Sequence, residues 1–418
     1  MSQEPKSTKP FPNFRGRPWG VSALVLLFRA THARAAHDVA AGASASSAIW
    51  TFPAIILSSM LISWGAEAAQ FLMSQGAALA ILAWLQTLPE YAVEFVIAKS
   101  AAKDEARTHF MIANLTGSLR LIVGLGWPLI YFTALGFARK RGRSFKEIQL
   151  EDEHSIEVVC LLPAVLYWFV IWMKRSLTVW DAAVLFAIYF FYIWTLSKMP
   201  PQEQEKIEDA DAIPRAILRN KPATRNLIVF LLFAGGGTIL YFTATPFLES
   251  MLALATAAGI SQFVFIQWLA PFLSEFPEKL SAFNWARKIS TAPTAVMNMV
   301  SSNFNQWTVL AATLPIVFSV YSGVLRPIHF DDHQAHEILL TLSQSALGMV
   351  LLLNMNFSTI EAGGIFILWL VQFIFPDSRQ VITVINFGWA AFEILRATRS
   401  KTGFRAFRLA PRMLFGKR

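Results

Sequence analysis

The segments WLQTLPEYAVEF at residues 84–95 and FLSEFPEKLSAF at residues 272–283 each place a Pro-Glu pair inside an otherwise apolar stretch. Glu90 and Glu278 therefore occupy surroundings typical of a membrane interior. A carboxylate is costly there and usually belongs to an ion or proton pathway. A charge-satisfied structural carboxylate is the alternative, and the doubled Pro-Glu context disfavours it. We expect a functional site around these two glutamates.

A second pair of matched segments follows the first, ANLTGS at 113–118 and MNMVSS at 297–302. The match aligns Asn114 with Asn298 and Ser118 with Ser302. Because each Asn and its Ser are four residues apart, both side chains lie on one face of a helix. The sequence therefore indicates an internal repeat whose unit contains two helices.

The composition is that of a membrane protein. The 418 residues are 55% hydrophobic and 15% charged, and the mean hydropathy is +0.46, whereas soluble domains carry roughly 25% charged residues. Its expected partners are a lipid bilayer and cations. The net charge of +9 does not indicate a nucleic-acid partner, because the basic residues lie mostly in loops and tails, where membrane orientation explains them.

Apolar segments form two groups of five, each segment being close to the ~20 residues that a span needs. The first group is 49–73, 77–98, 110–135, 155–173 and 177–197, and the second is 226–248, 252–285, 294–321, 336–354 and 357–376. An odd number of spans per group gives the repeats opposite orientations and puts a shared site between them. The sequence thus predicts an all-α membrane protein of ten transmembrane helices in two inverted five-helix repeats.

The predicted domain order follows from these groups. A tail with an interfacial helix occupies 1–48, the first repeat 49–197, a cytoplasmic linker 198–225, the second repeat 226–376, and an extra helix with a basic tail 377–418. Basic residues in the linker and in the loop at 138–147 place both in the cytoplasm, which suits a protein of the cell (inner) membrane. Cys160 falls inside a span, so we expect a buried and unreactive thiol. The oligomeric state stays open.

The Pro-Glu pairs also predict the chemistry of the site. Pro89 and Pro277 remove backbone donors, so each helix should bend or break before its glutamate and free carbonyl oxygens. Calcium binds about six to eight oxygen atoms, and Glu90 with Glu278 would balance one divalent ion. Further oxygens come from Gln86, Thr87, Ser274, Glu275, Asn114, Ser118, Asn298, Ser302, Asn303 and Gln306. A set without His or Cys argues against zinc, copper or iron. For Asn303 and Gln306, hydrogen bonding between helices is an equally good role.

At these residues the chain resembles the calcium/cation antiporter superfamily, which includes the sodium/calcium exchangers. Members have two inverted repeats, with approximately G-T-S-L-P-E on one helix and G-N-x-x-G-S-N-x-x-N/D on the next. The corresponding segments are LQTLPE and ANLTGSLRLI in the first half, and LSEFPE and MNMVSSNFNQ in the second. The resemblance implies that the central calcium ligands are Glu90 and Glu278, with hydroxyl partners at Thr87, Ser274, Ser118 and Ser302.

The chain departs from this pattern at several positions, including Gln86, which replaces a small hydroxyl residue. The acid or amide expected four residues after the motif's serine is Ile122 in the first repeat and Gln306 in the second, so one polar ligand is lost. Glu275 adds a third acid beside Glu278. Arg120 adds a positive charge within a span. It is either a tethered cation in the site or, more simply, the partner of an acid on another helix.

We therefore predict a secondary active antiporter that exchanges calcium, or a similar cation, for sodium or protons by alternating access around Glu90 and Glu278. The coupling ion stays open. The alternative is a non-transporting homologue with a regulatory or scaffold role, in which Arg120 serves as an internal cation. An enzyme is not expected, because the sequence has no Ser-His-Asp or metal-ligand constellation. No cofactor is expected beyond the transported calcium and sodium ions or protons.

Overall fold

A computed structural model of the chain describes residues 44–72, 87–198, 207, 210–400 and 403–415. Within them the chain is almost entirely helical, as the composition predicted, with strands of only two or three residues. Gln86 and the expected N-terminal interfacial helix lie outside the described residues.

The first half is a series of helices joined by short connections. Its elements are α1 (Ala48–Gln70), α2 (Leu88–Lys103), α3 (Thr108–Leu121), α4 (Trp127–Lys140), β1 (Glu147–Gln149), α5 (Ser155–Met173), β2 (Ser176–Leu177) and α6 (Val179–Ser197). A π-helical segment, Ile122–Gly126, makes α3 and α4 one continuous rod.

The second half follows a short helix, α7 (Ala212–Leu218), at the end of the linker. Its elements are α8 (Pro222–Ala257), α9 (Gln262–Ser274), α10 (Phe276–Lys288), α11 (Ala292–Asn305), α12 (Ala311–Ser322), β3 (Ile328–His329), α13 (Asp332–Leu352), β4 (Asn356–Ser358), α14 (Thr359–Ile374), α15 (Arg379–Thr398) and α16 (Arg405–Phe415). A second π-helical segment, Gln306–Leu310, joins α11 to α12. It begins four residues after Ser302, as the first begins four residues after Ser118, so the halves share local structure.

Two short antiparallel ribbons tie the halves together. Strand β1 pairs with β4, with Ile148 opposite Phe357, and β2 pairs with β3, with Leu177 opposite Ile328. The ribbons lie at opposite ends of the molecule, because the single helix α5 separates β1 from β2. Strand β1 follows α4, and β3 follows α12, which is the counterpart of α4 in the second half. The two strands nevertheless belong to ribbons at opposite ends. The two repeats are therefore inverted, as predicted.

The two ends of the molecule differ in their contacts, and we call them the linker side and the far side. The linker side holds the β1–β4 ribbon, and there Arg141, just before β1, lines one cavity with Asp211 at the linker. The far side holds the β2–β3 ribbon and the ion pair of Arg175 Nη1 with Asp332 Oδ1 at 2.9 Å. The basic loop and the end of the linker thus lie on one side, which agrees with their predicted common location.

Seven of the described helices are long and apolar enough to cross a bilayer, and the chain is an integral membrane protein. Helix α15, over the segment expected at 380–395, is among them. The predicted basic tail contains a further helix, α16. Its Ala406 N donates to Leu353 O at 2.9 Å, and Arg405 Nη2 pairs with Asp152 Oδ1 at 2.7 Å, so α16 docks on the linker side.

Candidate functional site

Two helices have proline as their second residue and glutamate as their third. Glu275 joins α9 to α10, and Pro277 and Glu278 lie in the first turn of α10. In the first half, Pro89 and Glu90 lie in the first turn of α2. Proline suits this position because the first helical amides have no partner within the helix, and a carboxylate there interacts favourably with the helix dipole. The structure contains the break predicted before Glu278.

Gln306 links carboxylates from the two halves of the chain. It opens the second π-helical segment, and its Nε2 donates to Glu90 Oε2 at 2.9 Å and to Glu275 Oε1 at 3.1 Å. All three side chains are buried. A π-helical turn inserted in an α-helix often marks a functional site. Gln306 therefore bridges two buried carboxylates in addition to joining helices.

Glu275 collects three donors and is the central acceptor of the site. Besides Gln306, Ser118 Oγ donates to its Oε1, and Lys279 Nζ donates to its Oε2. Glu275 was expected as a third acid, whereas Lys279 was not expected. The available signal was the basic residue immediately after the Pro-Glu pair in FPEKLSAF. A lysine four residues after a glutamate reaches back over one helical turn.

Glu278 lies beside a small cavity. Its Oε1 is 3.4 Å from Asn298 Nδ2 and its Oε2 is 3.3 Å from Ser302 Oγ. Both distances are longer than ordinary hydrogen bonds, so the carboxylate is weakly held. The cavity, of about 10 Å³, is lined by Glu278 together with Ser63 and Ser281. A polar space of this size accommodates one water molecule or a small ion.

Asn114 pairs with Glu94, an acid that was not among the expected ligands. Asn114 Nδ2 donates to Glu94 Oε2 at 2.8 Å, and both side chains are buried. The two residues are 20 positions apart, as are Glu278 and Asn298 in the second half. By hydrogen bonding, the counterpart of Glu278 is thus Glu94, one helical turn beyond the Pro-Glu pair. The conserved spacing between acid and amide was the signal that the motif match overlooked.

Several buried oxygen atoms near the carboxylates have no hydrogen-bond donor among the described residues. They are Glu94 Oε1, Asn114 Oδ1, Asn303 Oδ1 and Gln306 Oε1. Buried acceptors are nearly always satisfied in folded proteins, and calcium binds carboxylate and amide oxygens alike. Within the described residues, no three His, Cys, Asp or Glu side chains converge as a metal site. A cation here would need amide, hydroxyl or water oxygens as well as carboxylates.

Three other expected ligands lie in the same region. Ser274 Oγ donates to the carbonyl of Ala270 at 3.0 Å, and Thr87 is buried at the start of α2. Asn303 Nδ2 reaches the carbonyl of Leu119 in the other half at 3.5 Å. Asn303 therefore makes the interhelical contact that was one of its two predicted roles, while its Oδ1 remains available to a ligand.

Arg120 lies in a separate buried network toward the far side. Its Nη2 donates to Glu337 Oε2 at 2.5 Å and its Nη1 to Gln372 Oε1 at 3.0 Å. Arg379 pairs with the other oxygen of Glu337, and Gln267 Nε2 donates to Glu337 Oε2 at 2.7 Å. A guanidinium held by its own acid and amide does not fill the carboxylate site. This is the arrangement expected for the paired structural role of Arg120.

A larger cavity of about 450 Å³ opens on the linker side. It is lined by Trp64, next to Ser63 on α1, and by Asn284, one turn beyond Ser281 on α10. Asn284 Nδ2 donates to Asp211 Oδ2 at 3.2 Å, and Asp211 N donates to Glu67 Oε1 at 2.7 Å. Burial raises the pKa of the Asp211 carboxyl above its ordinary value, and the bond from Asn284 opposes that rise. The two cavities lie along the same pair of helices.

Known proteins share both the sequence pattern and the fold. The family model described as sodium/calcium exchanger protein matches residues 43–198 and 228–376. The crystal structure of the H+/Ca2+ exchanger CAX is 32% identical in sequence and has a TM-score of 0.81, covering 94% of this chain and 97% of its own. No protein of curated function matches the chain.

Two more distant structures share the fold alone. Native YfkE is 16% identical, with a TM-score of 0.57, covering 85% of this chain and 96% of its own. The sodium-calcium exchanger NCX_Mj, soaked with 2.5 mM Na+ and 10 mM Sr2+, is 16% identical, with a TM-score of 0.51, covering 79% of this chain and 97% of its own.

Proposed function

Because the chain belongs to the sodium/calcium exchanger protein family, we propose that it is a secondary active antiporter that exchanges calcium, or a similar divalent cation, for another cation. The observation that carries this proposal is the buried link from Glu90 through Gln306 to Glu275, which joins the two halves. Carboxylate and amide oxygens are the ligands that calcium prefers. The unpaired acceptor oxygens close to this link support the same assignment.

In this proposal, the cation first meets Glu278. Its carboxylate faces the small cavity and has only long contacts to Asn298 and Ser302. Deeper binding at Glu90 and Glu275 requires the amide hydrogens of Gln306 to turn away, because they now occupy the carboxylate oxygens. Turning the amide would present its oxygen to the ion. The same side chain can thus serve as donor in the empty site and as ligand in the loaded one.

Alternating access is proposed to start from the linker side. The two cavities beside α1 and α10 lie there, and the small one reaches Glu278. Cavities of about 810 Å³ and 710 Å³ also open on the far side, but none of the three carboxylates lines them. Helices α3 and α9 are in contact at Gly117, where an added Cβ would lie 1.7 Å from the carbonyl oxygen of Gln267. Opening of the far side would therefore need these two helices to move.

We propose protons as the exchanged ion. The solved protein named an H+/Ca2+ exchanger is 32% identical over 94% of this chain. In addition, the buried Ile122 stands where the second half has Gln306, so the first half lacks that polar ligand for sodium. The non-transporting alternative depended on Arg120 as an internal cation, and Arg120 is bound to Glu337 instead.

Uptake of calcium-45 into vesicles containing the purified protein tests the proposal. An imposed pH gradient without sodium should drive uptake, and a sodium gradient at equal pH should not. Glu90→Gln and Glu278→Gln should abolish uptake, whereas Glu361→Gln, which changes the carboxylate that caps α14 through Ser358 N at 2.6 Å, should retain most of it. Full uptake in both site variants would disprove the mechanism. Uptake driven by sodium alone would disprove proton coupling.

A further inference from the structure

A buried lysine stands among the carboxylates. Lys279 follows Glu278 directly on α10, and its ammonium group is bonded to Glu275 Oε2. The side chain is 7% exposed and that of Glu275 is fully buried. An ammonium group in such a position is costly unless an acid accompanies it. Lys279 is therefore a fixed part of the charge of the site.

The net charge of the carboxylate cluster matches that of one divalent ion. Glu90 interacts electrostatically with Glu275, Glu278 and Lys279, and Glu278 interacts with Glu275 and Lys279. Three carboxylates and one ammonium leave two negative charges when all four groups are ionised. Glu94 lies one helical turn beyond Glu90. It is hydrogen-bonded to Asn114 and is not counted in this cluster. Two negative charges balance one divalent ion.

We propose that Lys279 is a built-in monovalent cation that determines the ion selectivity of the site. Its compact ammonium group neutralises Glu275 and occupies the space beside this carboxylate that a sodium ion would need. With Lys279 in place, one calcium ion balances the two remaining negative charges, and a sodium ion finds no unbalanced charge at Glu275. This inference rests on the proposed function, because it assumes that transported cations bind among these carboxylates.

Removal of the lysine charge tests the inference. Lys279→Gln leaves three negative charges in the cluster, and attraction between charges grows as their surroundings exclude water. Thermal unfolding in detergent would be followed while sodium chloride replaces choline chloride at constant ionic strength. We expect sodium to stabilise the variant with a midpoint concentration at least tenfold below that of the wild type, and calcium to bind at least tenfold more tightly. Lys279→Arg, which keeps the charge, should resemble the wild type.

Two further variants make the result decisive. The double variant Glu275→Gln with Lys279→Gln restores the two negative charges, so its sodium response should return to the wild-type level, even where Lys279→Gln alone folds poorly. Lys103→Gln, at an exposed site at the end of α2, is the matched control. A sodium response in the double variant, or none in a folded Lys279→Gln, would overturn the inference. A wild type that ignores calcium would instead refute the proposed function.

Discussion

Glu90 and Glu275 share the amide of Gln306, yet we expect their neutralisation to have opposite consequences for stability. Glu275→Gln leaves the buried ammonium of Lys279 without its acid, which should cost roughly 3–5 kcal/mol. Glu90→Gln removes repulsion from Glu275 and Glu278 and keeps an oxygen that accepts a hydrogen bond. We expect this variant to be as stable as the wild type or more stable. Thermal unfolding of the two proteins in one detergent measures the difference.

A reversion variant controls this prediction. Replacing Lys279 by Gln in the Glu275→Gln background removes the stranded charge and should recover most of the lost stability, because two amides can bond to each other. Equal losses in Glu90→Gln and Glu275→Gln would contradict the assignment of Glu275 as the partner of Lys279.

Arg120 gives a second prediction at the scale of single residues. Arg120→Gln removes one of two cations from Glu337, so we expect a loss of about 3 kcal/mol, near the lower end for a broken buried pair, because Arg379 remains. The calcium-induced shift in melting temperature should stay as in the wild type, because the guanidinium lies away from Glu90 and Glu278. A variant that gained calcium binding would return Arg120 to the role of tethered cation.

The sequence identified acids more readily than the groups that hold them. Membrane burial makes Glu90 and Glu278 conspicuous, since carboxylates are rare in apolar segments. The donors to Glu275 and Glu90 are 157 and 216 residues away in the chain, at Ser118 and Gln306. No local pattern specifies such contacts, because they depend on how the two halves pack. Glu94, one turn beyond Glu90, has no proline beside it and so did not stand out in the sequence.

Helix packing at Gly117 leads to a prediction at the scale of elements. A Cβ at this position would lie 1.7 Å from the carbonyl oxygen of Gln267, and backbone cannot move aside as a flexible side chain does. Gly117→Ala should therefore separate α3 from α9, lower the melting temperature and abolish calcium uptake, because Ser118 and Glu275 lie next to this contact. Unfolding curves and calcium-45 uptake measure both effects.

Gly136 provides the matched control on the same continuous rod. No atom lies within 4 Å of a Cβ placed there, and alanine favours a helix over glycine by about 0.8–1 kcal/mol. Gly136→Ala should thus be as active as the wild type and slightly more stable. A normal melting temperature and normal uptake in Gly117→Ala would show that α3 and α9 pack less tightly than described.

The helices were predictable from apolar segments, whereas the smallest elements were not. Thr178 and Ser358 both cap a helix whose third residue is acidic, Asp181 and Glu361 respectively, so the repeat extends to its caps. The ribbons and π-helical segments escaped prediction. A strand of two or three residues carries no periodicity of its own and forms only when the other half supplies its partner.

Small reagents should reach the carboxylate site from one side of the membrane only, the linker side. Ser281 lines the cavity beside Glu278, which leads toward the linker side. In a Cys160→Ser background, Ser281→Cys should react with a membrane-impermeant thiol reagent added to the linker side of sealed vesicles. Calcium should slow this reaction by filling the cavity. Mass spectrometry of the labelled protein gives the rate.

Thr116→Cys is the control for this measurement. Thr116 is buried in the far-side packing, where its Oγ1 donates to the carbonyl of Ile112 at 2.6 Å. The introduced thiol should be unreactive from either side. Fast labelling of Ser281→Cys from the far side, or of Thr116→Cys, would show that the open and closed sides have been assigned the wrong way round.

The two ribbons, β1–β4 and β2–β3, have a mechanical consequence. Each fastens a loop of one repeat to a loop of the other, one at either face of the membrane. We expect the line through the two ribbons to act as an axle about which the repeats swivel, because sliding them apart along the membrane would break hydrogen bonds at both faces. Helices far from the axle would travel furthest in such a swing.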